Sequence, residues 1–275
     1  LSICSPSHVP YEVDRLHDPL INAKVPSLAS MTAHALKALA GQSGGFILQM
    51  EGARIDHAAH ANDAAGLLFD QLAFDEALST VLEFARKDGE TLVVATSDHG
   101  NSNPGVIGSG NEYFDSTAGL ALLSKAKASY EVLIPRLLLL KNVSDIQDLL
   151  EDRLGAKISN QEAQMVLEAV GGKHWLSIIE QYSLVSSVLA MVLSNYTHVC
   201  WSGRQHSNEY TTLTAWGPGA EAFGGLIYNV DVFPKLLAHR DIKFKNPSMS
   251  YEEAKRRLDA QKTNALSQSV EQHWV

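Results

Sequence analysis

The sequence predicts an α/β fold in which a central, mostly parallel sheet is flanked by helices, and three observations support this prediction. Two short apolar segments, residues 45–50 and 91–96, have the length and composition of buried strands. A long helical pattern over residues 61–87 lies between them, and strand, helix, strand in this order is typical of parallel pairing. A third strand, residues 211–216, follows a largely helical insertion at about residues 120–198.

The other elements are predicted from apolar periodicity and from capping signals. Capping boxes at Ser144–Gln147 and Ser159–Glu162 indicate two helices inside the insertion. Residues 1–27 are rich in proline and residues 100–115 in glycine and asparagine, so both are predicted to be irregular. Further helices are predicted over residues 28–41, 182–195, 231–239 and 250–261.

Composition narrows the class of protein. The chain has 275 residues, of which 45% are hydrophobic and 19% charged, so it can bury a core without disulfide staples. Its formal net charge of −9 argues against a nucleic-acid partner. No apolar run reaches membrane-spanning length and no signal peptide is visible. Two cysteines, Cys4 and Cys200, are expected as buried thiols, with a disulfide between them as the alternative.

The first chemical cluster follows the strand at residues 45–50. Glu51 comes directly after it, at the end where parallel sheets bind ligands. Asp56 and His60 are four residues apart, so a helix would place both on one face. Carboxylate oxygen and imidazole nitrogen are good zinc ligands, although acidic residues at a helix start can also simply complement its dipole.

A second cluster and a lone histidine follow later strands. Asp98 and His99 lie at the carboxyl end of the strand at residues 91–96, and His206 precedes the strand at residues 211–216. Together with the first cluster they provide more ligands than one ion needs. Two divalent ions could hold the attacking and leaving oxygens of a phosphoryl group and offset the acidity of the protein.

The order and context of these motifs resemble the alkaline phosphatases. The resemblance rests on the Glu-Gly-x-x-Ile-Asp-x-x-x-His pattern at residues 51–60, the strand followed by Asp98 and His99, and His206 before a strand that ends in Gly-Pro. It implies a catalytic domain of that family over residues 1–275, as its C-terminal portion, with the helical insertion fitting least well.

The resemblance also implies a ligand set and cofactors, namely two zinc ions and one magnesium ion. Asp56, His60 and His206 would hold the first zinc, Asp98 and His99 the second zinc, and Glu51 the magnesium. His57 would lie near the phosphate or among the groups around the magnesium. The implied reaction is hydrolysis of phosphomonoesters to inorganic phosphate through a phosphoserine.

The serine nucleophile of the family is not found in its expected place. It stands in an Asp-Ser-Ala segment well before the Glu-Gly-x-x-Ile-Asp pattern, and none of the 50 residues before Glu51 resembles that region. Ser116, in Asp-Ser-Thr-Ala-Gly, lies on the wrong side of Asp98 and His99 and is expected to be a helix N-cap. The chain is therefore expected to contain only the C-terminal, metal-binding half, with an incomplete sheet.

Two alternatives remain open from the sequence. A sister metalloenzyme, such as a phosphodiesterase, phosphomutase or sulfatase, would share Asp98 and His99 but not the whole pattern at residues 51–60. An inactive metal-binding fragment would keep the ligands without the nucleophile. The resemblance further implies a periplasmic or secreted location and leaves a homodimer open.

Overall fold

The structure is a computed structural model that describes residues 3–108, 116–172, 184–244 and 249–268. The chain divides into two compact units, Leu1–Gly224 and Gly225–Val275. The predicted site residues all belong to the first unit.

Helices dominate the first unit. An N-terminal group is followed, after residue 116, by a second group within the predicted insertion. They are α1 (Glu12–His17), α2 (Pro19–Asn22), α3 (Leu28–Leu39), α4 (Arg54–Ala61), α5 (Ala64–Asp88), α6 (Thr117–Leu123), α7 (Tyr130–Leu137), α8 (Val143–Leu154), α9 (Asn160–Val170) and α10 (Val185–Thr197). Helices α1 and α2 lie in a stretch that was predicted to be irregular.

Short strands that follow α5 form antiparallel pairs with short strands that follow α10. β1 (Val93–Thr96) pairs with β6 (Leu213–Trp216), β2 (Gly100–Asn101) with β5 (His206–Ser207), and β3 (Pro104–Val106) with β4 (Val199–Trp201). Every strand pair in the described part of the chain is antiparallel. The parallel βαβ pairing inferred from the strand and helix order is therefore not formed there.

The prediction of a strand at residues 45–50 is wrong. This segment joins no strand in the described residues, and its side chains alternate between half-buried and exposed, with Ile47 82% exposed. An apolar run becomes a buried strand only when neighbouring strands satisfy its backbone groups and cover its faces. The sheet is incomplete, as predicted.

The long helix predicted over residues 61–87 is confirmed as α5, which the turn at residues 62–63 separates from α4. Asn62 has a φ of 55°, which ends α4 in the left-handed conformation, and Asp63 then caps α5 by accepting the N–H of Gly66 at 2.9 Å. The second carboxylate oxygen of Asp63 accepts the N–H of Tyr130 at 2.6 Å and so ties α5 to the start of α7. Burial raises the pKa of this carboxyl to about 6.

The hydrophobic core lies mainly among the helices that follow residue 116. Leu133 and Leu137 of α7, Ile146 and Leu150 of α8 and Leu189 of α10 are fully buried. These aliphatic side chains supply most of the apolar area that stabilises this part of the unit. Helix α4, which carries predicted ligands, packs against α5 and contributes Ala58 to this core.

Caps explain where two insertion helices begin. The capping box at Ser159 and Glu162 is present at the start of α9. The one predicted at Ser144–Gln147 is wrong, because Asn142 caps α8 by accepting the N–H of Asp145 at 3.0 Å. Asparagine and serine are similarly good caps, so local sequence did not choose between them.

The described residues of the second unit form the helices α11 (Asn229–His239) and α12 (Tyr251–Gln268). Phe233 of α11 contacts Phe244 edge to face, with 5.9 Å between ring centroids. Ser250 accepts the N–H of Glu253 at 3.2 Å and caps α12, as predicted. In neither unit does a described helix combine the length and apolar character needed to cross a membrane.

Candidate metal centre

The centre begins with two side chains on one face of α4. Asp56 and His60 lie one helical turn apart, and the Nε2 atom of His60 is 3.5 Å from Oδ2 of Asp56. Both side chains are partly exposed, so the face they share is open to solvent. The helical spacing predicted from the sequence is confirmed.

His206 reaches this face from β5. In the β2–β5 pair His206 lies opposite Asn101, and its Nε2 atom is 3.1 Å from Nε2 of His60 and 3.8 Å from Oδ1 of Asp56. One ligand atom from each of Asp56, His60 and His206 lies within 4.8 Å of the other two. Residues separated by nearly 150 positions thus form one cluster.

The donor set fits a divalent metal ion. Nδ1 of His60 is 2.6 Å from the carbonyl oxygen of Arg204, which can only accept, so Nδ1 carries the proton and, in the neutral ring, Nε2 keeps its lone pair. A backbone carbonyl on the far nitrogen is the usual arrangement around a metal-bound histidine. Two imidazoles and a carboxylate are a donor set typical of zinc.

His99 lies against this cluster, and Asp98 lies beside His99. The ring of His99 stacks on that of His206 with 3.6 Å between centroids, and its Nε2 atom is 3.3 Å from Oδ2 of Asp98. The Asp98 side chain is 84% exposed. Both residues lie just after β1, which ends at Thr96, so this strand delivers a second group of candidate ligands to the same region.

Glu51 and His57 are not joined to the cluster. Glu51 is exposed, and among the described residues no hydrogen bond or ion pair connects it to the predicted ligands. His57 instead accepts a hydrogen bond from Arg54 at Nδ1, with a distance of 2.8 Å, and lies edge to face against His8. Burial, with Arg54 and His8 nearby, lowers the pKa of His57, which favours the neutral imidazole.

Arg54 anchors α4 from its buried side. Its side chain is 5% exposed, stacks on the Tyr11 ring at 3.7 Å, and forms an ion pair with Glu131 of α7. Burial raises the pKa of the Tyr11 hydroxyl, so that group stays protonated. The anchor joins α4 to both α1 and α7 and thereby holds the ligand face in place.

Sequence reasoning missed two residues that hold the candidate ligands. Asn101 donates to Oδ1 of Asp56 at 2.5 Å, and Arg204 donates from Nε to the carbonyl oxygen of His60 at 2.7 Å. Both stand inside the segments that drew attention to His99 and His206. Their proximity in sequence to predicted ligands was the available signal, but their partners are distant along the chain.

Ser116 has a structural role in this structure. It precedes α6 without capping it through its side chain, and its hydroxyl donates to the carbonyl oxygen of Ile107 at 2.6 Å. The two cysteines, Cys4 and Cys200, are both partly buried and are not joined by a disulfide. Cys200 lies in β4, the strand before β5, which carries the candidate ligand His206.

Similar proteins agree with the family suggested by the motifs. The family profile described as alkaline phosphatase matches residues 1–240. Alkaline phosphatase 4 of Bacillus subtilis is 31% identical over 212 residues, which is 76% of this chain and 42% of the relative. Alkaline phosphatase 3 of the same organism is 29% identical over 237 residues, 84% of this chain and 46% of the relative.

A solved structure gives the same result for the fold. The crystal structure of Thermus thermophilus alkaline phosphatase superimposes with a TM-score of 0.79 at 33% identity, covering 92% of this chain and 55% of that one. The predicted α/β fold class is therefore confirmed. The chain spans only about half the length of these proteins. From the profile, the relatives and the shared fold, the chain belongs to the alkaline phosphatase family.

Proposed function

We propose that this protein is a metal-dependent phosphomonoester hydrolase of the alkaline phosphatase type, which acts through a phosphoserine with two zinc ions and one magnesium ion. The observation that carries the proposal is the convergence of Asp56, His60 and His206, whose donor atoms lie within 4.8 Å of one another. Family membership supports the choice of a phosphomonoester as substrate and inorganic phosphate as product.

In this proposal Asp56, His60 and His206 hold the first zinc, and Asp98 and His99 hold the second. Glu51 holds the magnesium, and His57 stays outside the ligand set, near the phosphate or the magnesium. Bound zinc would supply Lewis-acid polarisation of the phosphoryl oxygens. No serine of this chain is assigned as nucleophile, because the family resemblance implies a serine that precedes the pattern at residues 51–60, and none of the first 50 residues resembles that segment.

The chain's own residues orient the ligands. Asn101 holds one oxygen of Asp56 through its 2.5 Å hydrogen bond, which leaves Oδ2 facing His60. The stacking of His99 on His206 limits rotation of both rings. Oriented ligands lose less entropy when they bind, so this support favours tight binding.

The acidic character of the protein makes such a site necessary for a phosphate substrate. The net charge is −9, and Asp56 and Asp98 add two carboxylates at the site itself. A phosphomonoester would be repelled by these groups unless cations outweigh them. The proposal therefore makes metal binding a precondition of substrate binding.

The proposal also includes a location in the periplasm or outside the cell, and a homodimer as the assembly.

The test combines metal analysis with hydrolysis of a chromogenic phosphomonoester at alkaline pH, with Zn²⁺ and Mg²⁺ added. The variants are Asp56→Ala, Ser116→Ala and, as a matched control for an exposed aspartate, Asp148→Ala. Turnover that disappears in Asp56→Ala alone supports the proposed ligand role and shows that the chain carries a complete site. Loss in Ser116→Ala would make that serine the nucleophile after all.

A second candidate is a metal-binding half without activity of its own. It is favoured by one observation, that the chain covers 42% and 46% of the two Bacillus relatives. Bound zinc that depends on Asp56, without turnover, would support it. Recovery of activity on addition of the unmatched part of a relative would then assign the chain to a two-part hydrolase. Preference for a phosphodiester over a phosphomonoester would refute both candidates.

A further inference from the structure

Residues 203–205, in the loop between β4 and β5, are held against the end of α4. Asn62 donates from Nδ2 to the carbonyl oxygen of Gly203 at 2.7 Å, and Arg204 donates from Nε to the carbonyl oxygen of His60 at 2.7 Å. The N–H of Ser102 donates to the carbonyl oxygen of Gln205 at 2.9 Å. These contacts fix the loop immediately before the point where the chain turns into His206.

The contact between His60 and Arg204 is reciprocal. The Arg204 side chain holds the backbone carbonyl of His60, while the Arg204 backbone carbonyl holds Nδ1 of the His60 ring at 2.6 Å. One residue thereby fixes the position of the helix end and the tautomer of its ligand. If the loop moved away, the carbonyl would leave and the ring proton could shift to Nε2.

The location of the Arg204 charge agrees with this role. The side chain is partly buried, and among the described residues no carboxylate forms an ion pair with it. Its Nε–H meets the last turn of α4, where backbone carbonyls lack helical partners and can accept a hydrogen bond. An arginine that served only to interact with solvent would not need to be partly buried against the end of α4.

We propose that Arg204 is a positioning residue for the first metal: it docks the loop on α4, holds His60 in the Nδ1–H tautomer and brings His206 to the cluster. This inference rests on the proposed function, because it takes His60 and His206 as ligands. Asn62 assists by holding the neighbouring carbonyl of Gly203.

The experiment measures zinc affinity by competition with a chromogenic chelator, and the His60 tautomer by ¹⁵N NMR of the metal-free protein. The latter is recorded at about pH 8, where an ordinary histidine is neutral. Arg204→Met removes the donor and keeps the apolar stem, Arg204→Lys keeps the charge, and Arg136→Met removes an exposed arginine as the control. All variants are the full 275-residue chain.

For Arg204→Met we expect zinc affinity to fall about tenfold to a hundredfold, as for other residues that orient metal ligands. The His60 ring should change from the Nδ1–H form to a mixture of tautomers. Arg204→Lys should recover part of the zinc affinity and part of the Nδ1–H form of His60. Arg136→Met should change neither the zinc affinity nor the tautomer. If Arg204→Met does not fold, the single variants Arg204→Lys and Asn62→Gly take its place. A wild-type His60 tautomer and a wild-type zinc affinity in both of them would refute the proposal.

The two measurements separate this inference from the proposed function. Unchanged affinity and tautomer in Arg204→Met would overturn the role of Arg204 even if the wild-type protein binds zinc well. A wild-type protein that binds no zinc would count against the proposed function, and the tautomer of His60 would still decide whether Arg204 positions the ring.

Discussion

Asp70 is predicted to lower the stability of this protein at alkaline pH. Its carboxylate, on α5, accepts the N–H of Glu12 at the start of α1 at 3.0 Å. Burial is the main reason that its pKa rises from 3.8 to about 7; the hydrogen bond from the Glu12 N–H and the charge of Arg54 oppose the rise, and the charges of Glu12 and Asp14 add to it. Asparagine keeps a carbonyl oxygen for the Glu12 N–H but cannot ionise, so Asp70→Asn isolates the effect of the charge.

The sign follows from proton linkage. A carboxyl whose pKa is raised in the folded state favours folding most below the unfolded pKa, and this contribution is lost as pH rises through the folded pKa. For Asp70 the loss therefore runs from about pH 4 to about pH 7. Three pKa units correspond to roughly 4 kcal/mol, and partial exposure of the group reduces this to about 1–3 kcal/mol.

The assay is urea unfolding of the wild-type protein and Asp70→Asn at about pH 5 and about pH 8.5, on either side of the raised value. At the higher pH we expect Asp70→Asn to be the more stable protein by about 1–3 kcal/mol, with a smaller difference at the lower pH. Asp148→Asn, an exposed aspartate on α8, serves as the control and should show no such difference. A variant that is equally stable or less stable at high pH would refute the reasoning.

Three further predictions concern the site and the fold. Asn101→Ala should weaken zinc binding about tenfold by releasing Asp56, as measured by chelator competition. Gly217→Ala should lower the free energy of unfolding by about 2–4 kcal/mol, because φ is 97° and a Cβ would overlap the carbonyl oxygen of Thr91. Leu133→Ala, at a fully buried position, should cost about 2–5 kcal/mol in urea unfolding.

Matched substitutions control these predictions. Asn142→Ala should leave zinc affinity unchanged, since this asparagine caps α8 and touches no predicted ligand. Gly172→Ala shares a positive φ but has open space around it, so a cost equal to that of Gly217→Ala would contradict the clash with Thr91. Leu139→Ala, 77% exposed, should change stability little.

The sequence by itself determined the local parts of this protein. Asp56 and His60 share a helix face because four residues make about one turn, and this geometry needs no distant partner. The capping box at Ser159 likewise depends on three residues of chain. The motif order was also enough to predict the family, which the similar proteins show independently.

Only the tertiary structure decided the features that join distant parts of the chain. The β2–β5 pairing brings His206 to within 3.1 Å of His60, and the same pairing sets Asn101 beside Asp56. The apolar pattern at residues 45–50 predicted a buried strand, yet no described strand pairs with it. Strand partners, and hydrogen bonds between distant residues, depend on which segments meet in the folded chain, and local composition carries no record of that choice.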